Sequence, residues 1–264
     1  ESVGRYAPPA ARYPGILASD PANPYDEKVT GYWRWTEIGN RGMHYVDQAI
    51  DVATELDIEI SDTIDLMERA DIAATWFITH DTPLLDRLRA NPNFELGIHP
   101  NFNFLLAGDP IKGATAGEVV DRLLEIVPEA RVVRSHSTTQ SSPILDIFAD
   151  RGLTHDCNHF IPEQAAIELK AYDCWSGLIK VPYFWEDAVV FKGEINTPIS
   201  QLAHRQGLRV FNFHPIHIYL NTDELSRYER ARPNFQNPSE LFKLRHQDGN
   251  GTRDLLKKLL GMQR

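Results

Sequence analysis

Short apolar segments alternate with helical segments along most of this chain, and this alternation is the feature that most constrains its fold. Residues 73–79 are a nearly continuous apolar run of strand length, and residues 94–99 are predicted to form the next strand, whereas the apolar residues between positions 56 and 67 recur at helical spacing. Strands separated by helices predict a mostly parallel sheet that is covered by helices. About seven such strands would close, or nearly close, into a barrel.

Composition and charge exclude several classes of protein. The chain has 37 acidic against 27 basic residues, giving a net charge of −10, and no basic stripe is present. Nucleic acid and anionic membranes are therefore disfavoured as partners. No apolar run approaches the roughly 18 residues of a spanning helix, so no membrane span is predicted. The sparse cysteines, Cys157 and Cys174, fit a reducing compartment, and we expect a cytoplasmic protein.

The chain is predicted to consist of an extension and one domain. Residues 1–40 are rich in Pro, Tyr, Trp and Arg without periodicity, and are interpreted as an irregular extension. Residues 41–264 are predicted to form the barrel domain. Its further strands are expected at 44–51, 131–134, 153–156, 178–181 and 208–213, and its further helices at 83–89, 117–126, 143–150, 223–232, 238–246 and 251–261.

Several predicted strands end in a polar side chain at their carboxyl side, and these side chains are Asp51, His99, Arg134 with His136, and His214. Parallel α/β architectures assemble their sites at this rim, where loops vary over a rigid base. We therefore expect one site there. Arg134 and His136 lie two residues apart and would point to one face of a strand.

Two histidines have further partners in sequence. Asn103 lies four residues after His99, a spacing found in metal sites, although an amide is a poor zinc ligand. His217 is out of phase with His214, and the sequence leaves open whether it belongs to the site or to a loop.

Five motifs in a fixed order carry a resemblance to a known family. They resemble the polysaccharide deacetylase family of carbohydrate esterases, in a branch found in bacterial surface-glycan gene sets. The likeness runs from about residue 44 to about residue 256, and each motif alone is weak. The motifs are ATWF at 74–77, ELGIHPNFN at 95–103, RSHS at 134–137, PYFWED at 182–187 and FHPIH at 213–217.

The resemblance implies an α/β fold of the distorted (β/α)7-barrel type and the metal-assisted removal of an acetyl group from an N-acetylated amino sugar. It implies a divalent metal cofactor, with zinc the expected ion. Matched position by position, it makes Asp51 the general base, His99 the first metal ligand, Asn103 the residue at the usual second ligand position, Arg134 the group that orients the base, and His214 the general acid.

One departure from the family pattern concerns the metal. The family has a second carboxylate just after the base, where this chain has Ala53. Asp57 and Glu59 could supply two carboxylates in another register. However, Asp51 lies 23 residues before Ala74, as the family spacing requires, whereas Asp57 lies only 17 before it. Helical periodicity also places Asp57 and Glu59 on a helix.

Three explanations of Ala53 remain open: an inactivating change, a substitute ligand such as His136 or Asp187, or loss of the metal with retention of binding. Of the remaining site residues, Trp185 is expected to offer an apolar face to the sugar, or else to pack in the core, and Asp187 to hydrogen-bond the substrate. The sequence thus predicts an N-deacetylase. A catalytically silent sugar-binding domain and a different amide or imine hydrolysis remain as alternatives.

Overall fold

The computed structural model describes residues 45–49, 57–191, 197–235, 237–247 and 249–261. The predicted extension (residues 1–40), Asp51 and Ala53 lie outside the described residues. The predictions made for them therefore stay predictions.

The described residues contain one sheet of nine strands, in the order β6-β7-β5-β4-β3-β2-β1-β9-β8. All neighbouring strands are parallel except β6 and β7. The strands are β1 (Tyr45–Ala49), β2 (Ala74–Ile78), β3 (Phe94–Ile98), β4 (Val132–Val133), β5 (His155–Asp156), β6 (Tyr172–Asp173), β7 (Ile179–Lys180), β8 (Trp185–Glu186) and β9 (Val210–Phe213). The predicted mostly parallel sheet is confirmed, whereas β6 and β8 were not expected from the sequence.

Helices follow most of the strands, as the alternating pattern predicts. Asp57 and Glu59 lie on the first helix, which confirms that this segment is not the first strand. The helices are α1 (Asp57–Ala70), α2 (Leu85–Ala90), α3 (Asn103–Leu106), α4 (Ala116–Ile126), α5 (Ser142–Asp150), α6 (Asp187–Val190), α7 (Ile199–Leu202), α8 (Pro215–Leu220), α9 (Leu225–Ala231), α10 (Pro238–Leu244) and α11 (Thr252–Leu259).

The sheet curves into a distorted barrel. A single parallel bridge between Phe160 and Tyr183 connects the chain after β5 to the chain before β8. Large side chains such as Trp76 and Phe211 are fully buried between the sheet and its helices. This core fixes the carboxyl ends of the strands, from which the polar residues project.

Gly97 allows β3 to lie close to β4. A Cβ atom at this position would approach the Val132 carbonyl oxygen to 2.8 Å and its side chain to 2.6 Å. Such contacts are shorter than carbon atoms normally make, so any larger residue would push apart the two strands that carry His99 and Arg134.

Within the described residues, none of the helices has the length and apolar character needed to cross a membrane.

Candidate active site

The carboxyl ends of four strands open into one cavity of about 860 Å³. His99 follows β3, Arg134 follows β4, Glu186 ends β8 and His214 follows β9, and all four side chains line the cavity together with His136. The predicted convergence of polar strand ends is therefore observed for the described residues.

His99 is a buried imidazole, only 4% exposed. Its backbone N–H donates to the Ile78 carbonyl at 2.8 Å, which extends the β2–β3 ladder to the cavity. Burial, followed by the charges of His136 and Arg134, holds the pKa of His99 well below its usual 6.5. Its Nδ1 atom is buried without a hydrogen-bond partner among the described residues. A neutral imidazole with an unused nitrogen can act as a metal ligand.

The ring of His136 lies edge-on to that of His99, with the centroids 5.7 Å apart. Its backbone N–H donates to the Pro100 carbonyl at 2.9 Å. The next two residues, Ser137 and Thr138, have φ angles of 55° and 51°, a left-handed conformation that non-glycine residues rarely adopt. This tight turn presents the imidazole to the cavity.

A buried network supports the loop that carries His136. The Ser135 backbone N–H donates to Asn158 Oδ1 at 2.7 Å, and the Asn158 N–H donates to Asp156 Oδ1 at 2.8 Å. Asp156 in turn pairs with Lys180 at 2.5 Å, and both side chains are buried. The ends of β5 and β7 thereby position the residue that precedes His136.

Arg134 and Glu186 form an ion pair at the cavity wall. Arg134 is 2% exposed, and its Nη2 atom lies 3.2 Å from Glu186 Oε2. The same oxygen accepts hydrogen bonds from the Tyr183 hydroxyl and from Asn212 Nδ2, both at 3.1 Å. The Arg134 guanidinium also lies 3.9 Å from the centre of the Tyr183 ring. Glu186 is thus a carboxylate held by three donors inside the cavity.

Asp187 and His214 form a second, tightly bonded pair. Asp187 Oδ1 lies 2.7 Å from His214 Nδ1, and Oδ2 accepts the His214 backbone N–H at 2.8 Å. Burial alone would lower the pKa of His214, but the charge and hydrogen bond of Asp187 raise it to about 8. Burial raises the pKa of Asp187, but the charge and hydrogen bonds of His214 outweigh it, and the pKa lies below its usual value. At neutral pH the pair is an imidazolium bonded to a carboxylate.

His217, which the sequence left open, lies in α8 and lines the same cavity. One potential ligand atom from each of Asp187, His214 and His217 lies within 4.8 Å of the others, so these three could hold a metal ion. However, Asp187 already binds His214 Nδ1, and His217 Nδ1 lies 3.2 Å from the Thr222 hydroxyl. An ion bound at those nitrogens would have to displace both contacts.

Three residues that were expected at the site do not line the cavity. Trp185 is 1% exposed and packs against Phe213 with ring centroids 4.6 Å apart, so it belongs to the core and does not line the cavity. Asp187 is fully buried behind His214, so it is not placed to meet a substrate directly. Asn103 is exposed at the start of α3, outside the cavity lining, and its amide nitrogen donates to Ser137 Oγ at 3.3 Å.

Glu186 was missed as a functional candidate, although it stands in the PYFWED motif beside Asp187. The available signal was strand alternation, because neighbouring residues of a strand point to opposite faces. With Trp185 in the core, its neighbour Glu186 necessarily faces the cavity.

Two imidazole pairs of the described lining have similar ring separations, His99–His136 at 5.7 Å and His214–His217 at 5.6 Å. In the second pair both Nδ1 atoms are engaged, by Asp187 and by Thr222, so the first pair fits a metal ion better. Two imidazoles sharing an ion at about 2.1 Å in tetrahedral geometry have ring centroids about 5 Å apart. The 5.7 Å separation of His99 and His136 and the unused, buried Nδ1 of His99 agree with this arrangement. Both ligands are neutral, so the pair alone would hold a divalent ion weakly.

Comparisons with known proteins agree with the geometry. Residues 49–232 match the family model described as WbmS-like polysaccharide deacetylase. A proposed polysaccharide deacetylase involved in O-antigen biosynthesis from Bordetella bronchiseptica is 43% identical, with a TM-score of 0.76 over 84% of this chain and 90% of that chain. No curated protein matches the chain.

Two more distant structures have TM-scores below 0.5. A polysaccharide deacetylase-like protein from Mycobacterium smegmatis is 16% identical, with a TM-score of 0.44 over 60% of this chain and 63% of that chain. A family 4 carbohydrate esterase from Streptomyces lividans in complex with acetate is 10% identical, with a TM-score of 0.39 over 65% and 78%. On the family model and the Bordetella structure, this chain belongs to the WbmS-like polysaccharide deacetylase family.

Proposed function

We propose that this chain hydrolyses the N-acetyl group of an amino sugar or glycan precursor, yielding acetate and the free amine. The observation that carries the proposal is the arrangement of the cavity. The Asp187–His214 pair and the His99–His136 pair line or support the same cavity at the strand ends. One pair suits proton donation and the other suits metal binding, which are the two requirements of metal-assisted amide hydrolysis.

His214 is the proposed general acid. Its Nδ1 is bonded to Asp187, which leaves Nε2 as the nitrogen available to the cavity. With a pKa of about 8, the ring is protonated at neutral pH and can donate from Nε2 to the amine nitrogen as the C–N bond breaks. Asp187 then stabilises the charge of the ring before donation and fixes its orientation.

A carboxylate is needed to accept the proton of the attacking water. Asp51 is the proposed base by its resemblance to the family motif, and Arg134 is proposed to orient it. Glu186 is the second candidate base, because it is the carboxylate that Arg134 binds among the described residues. Separate Asp51→Asn and Glu186→Gln variants distinguish the two candidates. Activity falls at low pH as the general base becomes protonated, so only the variant that lacks the base is expected to lose this acidic limb of the pH profile.

The proposed metal site is formed by His99 and His136, with zinc as the expected ion. Asn103, the third ligand that the sequence suggests, lies outside the cavity lining and is not part of this proposed site. When bound, a divalent ion supplies Lewis-acid polarisation of the acetamide carbonyl and makes a water molecule more acidic. Among the lining residues, Arg134 holds the Glu186 carboxylate in place, and Tyr183 forms a buried part of the wall.

A catalytically silent sugar-binding protein is the second candidate function, and Ala53 is the observation that favours it. Without the expected carboxylate, the metal would be held by neutral ligands only. An Ala53→Asp variant separates the two functions: gain of turnover with no change in sugar binding would identify a chain that has lost catalysis.

Acetate release tests the proposal. Purified protein is incubated with N-acetylated amino sugars, first as isolated and then with added zinc, and acetate and free amine are both quantified. We expect equal amounts of the two products. Sugar binding without acetate release under any metal would establish the sugar-binding alternative.

A further inference from the structure

The cavity extends well beyond the polar residues at the strand ends. Beyond the polar residues at the strand ends, its wall continues along a series of aromatic rings. His214 contacts His217 at 5.6 Å, His217 contacts Tyr228 at 4.9 Å, and Tyr228 contacts Phe235 at 5.4 Å between ring centroids. These residues line the cavity continuously from the acid-bearing end to its outer wall.

Arg232 lies at the outer end of this wall. It begins the short turn after α9 and lines the cavity next to Phe235. The residue is exposed, and its guanidinium makes no hydrogen bond or ion pair with any described residue. The described lining contains two arginines, and the other one, Arg134, is bound to Glu186. Of these two, Arg232 is the one whose guanidinium is available to a ligand.

The charge of the lining favours an anionic ligand. Glu186 is the only carboxylate among the described lining residues, and it is already engaged by Arg134. The chain as a whole carries a net charge of −10, so an arginine without an anionic partner among the described residues of this cavity runs against the general surface charge. Guanidinium groups bind phosphate and carboxylate through paired hydrogen bonds, which makes this arrangement typical of anion recognition.

We propose that the substrate is an acidic N-acetylated sugar whose anionic group, a phosphate or a carboxylate, binds Arg232 while the adjoining part of the ligand lies against Tyr228 and Phe235. The inference rests on the proposed function and names the substrate class for that site. It requires the acetamide to lie at the His214 end of the aromatic wall and the anion to lie at the other end.

Binding and hydrolysis of four probes test the proposal. They are N-acetylglucosamine, N-acetylglucosamine 1-phosphate, UDP-N-acetylglucosamine and the uronic acid of N-acetylglucosamine. We expect at least one anionic probe to bind about tenfold more tightly than the neutral sugar in calorimetry, as a charge-assisted contact predicts. The phosphate-bearing probes and the uronic acid together show which anion the site takes.

Substitutions of Arg232 test whether this residue causes the preference for acidic probes. In Arg232→Gln the affinity ratio of acidic to neutral probe is expected to fall about tenfold, whereas Arg232→Lys retains part of it. Arg230→Gln is the matched control, because Arg230 lies only two residues earlier, in the last turn of α9, is outside the cavity lining, and pairs with Glu224. The ratio is expected to be unchanged in that control.

The outcomes separate this inference from the proposed function. Equal affinity for neutral and acidic probes, no binding of any acidic probe, or an unaltered ratio in Arg232→Gln would overturn the inference even if acetate is released. Conversely, Arg232-dependent binding of an acidic probe without acetate release supports the inference and contradicts the proposed hydrolysis.

Discussion

One carboxylate fixes both the ring and the backbone of His214: Asp187 Oδ1 lies 2.7 Å from Nδ1, and Asp187 Oδ2 accepts the His214 N–H at 2.8 Å. Because α6 begins at Asp187 directly after β8, and His214 directly follows β9, this pair connects the ends of two neighbouring strands. The pairing of β8 with β9 therefore sets the orientation of His214, the proposed acid.

The pH dependence of activity follows from this pair. The pKa of His214 is raised to about 8, so the proton-donating form is present below that pH and is lost as the pH rises through it. We expect kcat/KM to decline above about pH 8. In Asp187→Asn the charge that raises the pKa of His214 is removed while burial remains, so the decline is expected to move to pH 6.5 or below. The protonated fraction of His214 at pH 7.5, and with it the activity, is then expected to fall at least about eightfold.

The control for this variant is Asp173→Asn, which changes an exposed carboxylate of β6. Its pH profile is expected to match that of the unmodified chain. An Asp187→Asn profile with the same alkaline limb would show that His214 is not the group whose ionisation controls the reaction.

The metal prediction concerns His99 and His136. If these imidazoles bind zinc, His99→Ala and His136→Ala will each lower the zinc content of protein that has been incubated with the metal and desalted. His204→Ala is the matched control, since His204 is exposed and lies outside the cavity lining. A loss of zinc in His217→Ala, with none in His99→Ala, would instead place the ion at the Asp187–His214–His217 cluster.

Glu186 is predicted to matter for stability as well as for activity. Replacement by Gln leaves the buried Arg134 guanidinium without its anionic partner, at a cost of about 1–3 kcal/mol in the free energy of unfolding. Urea denaturation measures this cost, and acetate release is expected to fall at least about tenfold, the effect of losing about 1.4 kcal/mol of transition-state stabilisation. Glu168→Gln, on the exposed surface, is the control. If the free energy of unfolding and the rate of acetate release are both unchanged in Glu186→Gln, the role assigned to Glu186 is refuted.

The Asp156–Lys180 pair is predicted to be a strong determinant of stability. Lys180→Met leaves a fully buried carboxylate unpaired and is expected to lower the free energy of unfolding by about 3–5 kcal/mol. The double variant Lys180→Met/Asp156→Leu removes both charges and is expected to cost less than the single one. A double variant that is less stable than Lys180→Met would contradict this account of the pair.

The sequence predicted the parts of the fold that have strong local patterns. Strands β2 and β3 are five-residue segments in which most residues are apolar and buried, and α1 and α4 have clear helical periodicity. Strands β6 and β8 contain only two residues each, and no helix separates either of them from β7, so the alternation of strands and helices does not predict them. Their existence depends on pairing with β7 and β9, which no local signal reveals.

The errors at the site have the same origin. Once β8 is known, alternation places Trp185 in the core and Glu186 in the cavity, but without β8 the two could not be distinguished. Asn103 was expected at the metal site because it lies four residues after His99, a spacing found in metal sites. Pro100 intervenes and α3 begins only at Asn103, so the two residues do not share a helix. The long-range pair of Arg134 with Glu186 joins residues 52 positions apart and is set by tertiary structure alone.

The most direct test of the account is the yield of acetate and free amine from an N-acetylated amino sugar, compared between the unmodified chain, His214→Ala and the control His204→Ala. The account predicts equal amounts of both products from the unmodified chain and the control, and a rate about a hundredfold lower in His214→Ala. The account is contradicted if His214→Ala releases acetate at the unmodified rate, or if the zinc-loaded chain binds the sugar and releases none.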